Sequence, residues 1–129
     1  TYTDAVKDEL IYTQVDATGA VLLREVVDDG ARPLGGPTEA NEVVGLDSVI
    51  FFDENGLVNV LYQNGTHADL WHGIRNGADN WVITPVRQGG AGYGFFVDVA
   101  TDSDGTIWVA EYIYDRSADD LTTLDVWPF

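Results

Sequence analysis

The strongest constraint in this chain is a displaced copy of itself. Gly45, Asp53, Gly56 and Val60 recur 49 positions later as Gly94, Asp102, Gly105 and Val109. Self-similarity at such an offset marks stacked supersecondary units, none of which can bury its apolar face alone. A weaker correspondence runs at 60 positions, where Leu10, Val26 and Gly30 precede Leu70, Val86 and Gly90. Asp69-Leu70 reads as returning once more at Asp120-Leu121. The chain is therefore expected to begin inside one unit and end inside another, holding about two and a half units of roughly 50 residues. The units are placed at about 8–62, 63–112 and 113–129.

The segments inside the units read as strands. Leu10–Val15, Val21–Val27, Ser48–Phe52, Leu57–Tyr62, Asp69–Ile74, Trp81–Val86, Phe95–Ala100, Thr106–Tyr114 and Leu121–Trp127 are rich in β-branched and aromatic residues. Gly- and Asp-bearing turns separate them. Asp53-Glu54-Asn55-Gly56 between two apolar runs is a hairpin signal. Helix has little support beyond one turn within Thr3–Leu10, and Asp28–Glu42, with its glycines and prolines, reads as a long loop. About four strands per unit fit propeller blades, and the expected fold is all-β with four-stranded antiparallel blade repeats. A single small β-barrel or sandwich of eight or nine strands is the alternative.

Charge narrows the function. The 129 residues carry 22 acidic and 6 basic side chains, a net charge of −16. A domain of that charge repels phosphate backbones and anionic membrane surfaces, so nucleic acid is excluded as a partner. No apolar run approaches the roughly 20 residues of a membrane helix, and insertion is not expected. With no cysteine there is no disulfide, thiol nucleophile or cysteine metal site. The start carries neither methionine nor a signal-peptide pattern, as expected of a processed product or a piece of a longer chain. Asn64-Gly65-Thr66 fits a glycosylation acceptor but reads better as an Asn-Gly turn.

The run from Ser48 through Tyr62, then Ala68–His72, Trp81 and Val86, resembles the blade repeat of bacterial secreted β-propellers, distantly similar to the Asp-box blades of sialidase-like proteins. Phe96–Tyr112 resembles a second copy of the same blade. The resemblance spans about residues 8–127. It implies an extracellular or cell-surface location. Because propellers close with four or more blades, it also implies that the chain is the remainder of a longer propeller or associates with further chains.

Catalysis finds little support. Ser48, Ser103 and Ser117 lack a nucleophile-elbow context, and the arginines are scattered. A non-enzymatic binding or assembly module is the favoured reading. Its alternative is part of a glycan-binding or glycan-processing propeller, in which an exposed tryptophan stacks on a sugar. Trp71, His72 and Arg75, together with Trp108 and Tyr112, are the candidate ligand-binding residues. Asp102-Ser103-Asp104-Gly105 has the oxygen spacing of the start of a calcium loop, with Asp102 and Asp104 as ligands. The preferred reading is a hairpin turn capped by Asp102, since Asp53-Glu54-Asn55-Gly56 holds the equivalent place. His67 and His72, five apart, do not share one face of a strand, which disfavours zinc.

Overall fold

A computed structural model describes residues 1–32, 41–115, 117 and 121–129. The described part of the long segment before Glu42 is irregular, and residues 33–40 lie outside it, as do Arg116 and Asp120. Among the described residues ten strands form: β1 (Tyr2–Asp4), β2 (Glu9–Val15), β3 (Val21–Asp28), β4 (Val44–Phe52), β5 (Val58–Asn64), β6 (Asp69–Arg75), β7 (Trp81–Arg87), β8 (Gly92–Thr101), β9 (Ile107–Asp115) and β10 (Leu121–Pro128). All nine expected strands are present, most of them longer by a residue or more. Thr3–Leu10 is not helical. Its one turn is closed by the Lys7 and Asp8 N–H groups onto the Asp4 carbonyl, and it joins β1 to β2.

The strands divide into three antiparallel sheets, ordered β1-β2-β3, β4-β5-β6-β7 and β8-β9-β10. Among the described residues no closed barrel forms, which overturns the barrel alternative. The sheets pack in series: β4 meets β1 and β2, and β8 meets β4, β5 and β6. The middle sheet is thus covered on both faces. Its back face carries Val58, Val60, Tyr62, Trp71, Trp81 and Ile83 against Leu10, Tyr12, Leu23 and Val27 of the first sheet. Its front face carries Val49, Phe51, Leu61, Leu70 and Val86 against Val97, Val99, Val109 and Trp127 of the third. Strand alternation sends Val60 and Tyr62 one way and Leu61 the other.

Register proves the two offsets to be structural. At 49 positions, Leu46 opposite Gln63 and Val49 opposite Leu61 become Phe95 opposite Tyr112 and Asp98 opposite Ala110. Both copies shift register between those same two positions, so the bulge itself is repeated. Gly45 (φ 88°) and Asp47 (φ 45°) match Gly94 (φ 78°) and Phe96 (φ 51°) in left-handed backbone. A Cβ on Gly45 would stand 2.8 Å from Leu10 Cβ, so glycine is required there by space as well as by φ. At 60 positions, Tyr2 opposite Ile11 matches Tyr62 opposite Trp71. A bulge follows Leu10 in β2 and Leu70 in β6.

These equivalences fix the phase of the repeat, which an offset alone leaves open. The sheets span 2–28, 44–87 and 92–128, whereas the units read from the sequence divide at 62/63 and 112/113, between residues of one strand. Among the described residues, the first sheet has no strand in the place of β4, and the third has none in the place of β7. The counterpart of Leu70 is Leu124, not Leu121: Gln63 pairs with Leu70, and Tyr112 (63 + 49) pairs with Leu124. The connection after β9 is longer than that after β5, which moves the match along the chain.

Candidate binding face

Three hairpins end in the same turn. Asp53 Oδ1 accepts the N–H groups of Asn55 and Leu57, both at 2.9 Å, and its carbonyl accepts the Gly56 N–H. Asp102 does the same for Asp104 (2.9 Å), Thr106 (3.0 Å) and Gly105. Asp16 repeats the pattern with Thr18, Ala20 and Gly19. Hydrogen bonds hold all three carboxyls below the usual carboxylate range, led by the Thr18 hydroxyl at Asp16, the Leu57 N–H at Asp53 and the Trp108 indole at Asp102. Asp102 spends its second oxygen on that Trp108 Nε1–H, at 2.9 Å. A cation at Asp102 and Asp104 would have to displace these donors. Among the described residues no group of three or more His, Cys, Asp or Glu is placed to hold a metal.

Asn64 is likewise a turn residue. Its Oδ1 accepts the Thr66 and His67 N–H groups, and its Nδ2 donates to Glu42. The side chain is fully buried, so the glycosylation reading fails sterically.

Trp71, His72 and Arg75 do not converge. As neighbours on β6, Trp71 and His72 point to opposite faces. Trp71 lies in the interface with the first sheet, under the Arg32 guanidinium at 4.4 Å. Arg75, on the same face, forms two hydrogen bonds with Glu25, at 2.7 and 2.8 Å. His72 meets Asn59 Oδ1 at 2.8 Å and packs against Phe51 and Phe129. Burial lowers its pKa. These three residues serve the interfaces between sheets. His67 turns to Glu42 Oε1 at 3.0 Å, away from His72's partners.

Two buried glutamates lie outside the candidate site residues. Glu25 of β3 accepts both Arg75 bonds, the Trp81 Nε1–H at 3.1 Å and the Asp79 N–H at 3.0 Å. The Arg75 guanidinium holds its carboxyl at about 2. Glu111 of β9 accepts the Gly94 N–H and lies 3.1 Å from Arg87. Arg87 is shared with Asp125 at 2.6 Å and stacks on Trp127 at 3.8 Å. Burial raises the Glu111 pKa despite these partners. A lone acid inside an apolar strand run was the available signal in both cases. The partners, 50 and 24 residues away, were not legible.

A second network joins the loop ends. Arg32 forms a bidentate pair with Asp28, at 2.6 and 2.9 Å, and the Tyr62 hydroxyl also donates to Asp28. Burial pushes the Asp28 carboxyl up, but these hydrogen bonds outweigh it and the pKa falls.

Trp108 and Tyr112 do share a face. They alternate with Ala110 along β9 and stand beside Leu124 and Val126 of β10 through the pairs Tyr112–Leu124 and Ala110–Val126. Phe96 packs edge-on to Tyr112 with centroids 6.0 Å apart. This is the front face of the third sheet. An open cleft of about 480 Å³ on it is lined by Phe95, Phe96, Tyr112, Tyr114 and Thr122. Phe96 is exposed and held at positive φ, where an aromatic residue is disfavoured. The face presents large apolar area and aromatic rings, with Asp98 and Asp102 at its margin.

No family model, curated protein or solved structure matches the chain. Among the described residues no helix is long and apolar enough to cross a membrane.

Proposed function

We propose that this chain is a run of propeller-type blades acting as a non-enzymatic binding and assembly module at the cell surface or outside the cell, and that it completes its fold by association. The observation that carries this reading is the bare front face of the third sheet. It bears Phe96, Trp108, Tyr112, Leu124 and Val126, all exposed. Contiguous exposed apolar area of this kind marks an interaction surface. The serial packing of the sheets and the repeated bulge support the blade reading. The distant resemblance to sialidase-like propellers supports the location. Light scattering at several concentrations tests it: association above the 14.1 kDa of one copy is expected. A folded species that stays monomeric throughout and binds nothing would overturn it.

The aromatic cleft favours a second reading, a glycan-binding blade, since rings beside carboxylates can stack on a sugar and bind its hydroxyls. A glycan array on the folded chain tests this. Uniform absence of binding would remove it.

A further inference from the structure

Each sheet in the series presents a front and a back face, and register identifies the same positions on successive sheets. On the middle sheet, the front-face Leu70 is fully buried by the third sheet. Its counterpart on the third sheet, Leu124, is 57% exposed. Gln63 is buried, whereas its counterpart Tyr112 is 42% exposed. At the other end much of the back face is exposed, although Ile11 on it is fully buried. Tyr62 is fully buried by the first sheet, yet its counterpart Tyr2 is 46% exposed. The pairs Tyr2–Ile11–Val26 and Val15–Val21 place Tyr2, Val15, Val21 and Val26 on one back face, all exposed. Arg24 stands on this face too, opposite Thr13, with its guanidinium bonded to the Tyr2 hydroxyl at 2.9 Å.

The described residues thus form two buried front-to-back interfaces and leave one front face and one back face exposed. We propose that these two faces are covered by a second copy of this chain, docked front to back: the third sheet of one copy lies on the first sheet of the next. The inference rests on the assembly reading above and adds the face, the partner and the polarity. Continuity with the internal interfaces argues for it. The positions that would be covered are those that the same fold covers twice within one chain. On the back face Arg24 already faces Asp4 at 3.7 Å, so charge contributes only by disfavouring the symmetric alternative. A front-to-front dimer would bring Asp98 and Asp102 of both copies together in a chain of net charge −16. A front-to-back contact is heterologous, so it propagates into a ring or a filament rather than stopping at two.

The test uses two variants of the full chain, Leu124→Glu on the front face and Tyr2→Glu on the back face. Sedimentation velocity is run on each alone and on the mixture, in low and high salt, with far-UV circular dichroism to confirm folding. The wild type is expected to associate, and more tightly in high salt, because screening weakens the repulsion between acidic copies. Each variant alone should lose association by about tenfold or more, the effect of placing one unpaired charge in an apolar contact. The mixture should form a one-to-one dimer and stop there, since each variant keeps one sound face. Self-association of Tyr2→Glu alone at wild-type strength would overturn the polarity and indicate front-to-front pairing. Association untouched by either variant would overturn the inference and leave the assembly reading standing, whereas a wild type that stays monomeric and binds nothing would overturn both. If Leu124→Glu fails to fold, Tyr112→Ser and Arg24→Glu test the same two faces.

Discussion

The two interfaces of the middle sheet solve one problem in two ways. Each holds a buried glutamate from a neighbouring sheet and an arginine from the middle sheet. At the first, Glu25 accepts four donors, and its carboxyl stays ionised down to about 2. At the second, Glu111 has one backbone N–H and an arginine that Asp125 also claims, and its pKa rises. At Glu25 the Arg75 hydrogen bonds outweigh the cost of burial, whereas at Glu111 that cost outweighs the Gly94 N–H and Arg87.

That contrast is broken most severely by removing Arg75. Arg75→Ala would leave Glu25 buried and unpaired, and a loss of about 3–5 kcal/mol is expected in urea unfolding at neutral pH. Acid should erode the native contribution in the same region. A depressed carboxyl contributes fully above its ordinary value of 4.5, and the contribution is lost as pH falls from there toward about 2.

Apolar packing gives the next test. Leu70→Ala should cost about 2–5 kcal/mol, because the site is sealed by the third sheet. Leu124→Ala, at the equivalent but uncovered position, should cost less than about 0.5 kcal/mol in the monomer. Equal losses would mean that the front face of the third sheet is covered in solution.

A smaller effect separates the glutamates by pH. Glu111 has a raised pKa in the folded chain, so it lowers stability above that value and the deficit fades as pH falls toward 4.5. The stability difference between the wild type and Glu111→Gln should therefore change in the wild type's favour on mild acidification. For Glu25 the sign is opposite. The smallest effect is expected at the turns: millimolar calcium should leave the melting temperature unchanged, because Asp102 already has its donors. A calcium-dependent rise would show that the ion displaces them.

The strands were legible because their apolar residues are dense and their turns carry Gly and Asp at fixed places. β1 was not, since Tyr2–Asp4 is three residues long and becomes a strand only by pairing with β2. The repeat was legible as a period, but its phase required hydrogen-bond register. The same difference explains the candidate residues. Trp108 and Tyr112, four apart on a strand, had to share a face. Trp71 and His72, adjacent in sequence, had to point apart, and their closeness along the chain misled. The salt bridges across sheets join residues too distant in sequence for any spacing rule to match them.

Every one of the seven strand pairings joins strands that are consecutive in the chain. The consequence is kinetic. Each hairpin can close over a short loop before any sheet meets another, and rates of folding follow such local contacts. Sheets added in series extend the structure without rethreading it, so folding can start at any hairpin and spread to its neighbours. The contacts of β8 with the middle sheet would then form late. The docking of finished sheets is therefore the step expected to limit folding.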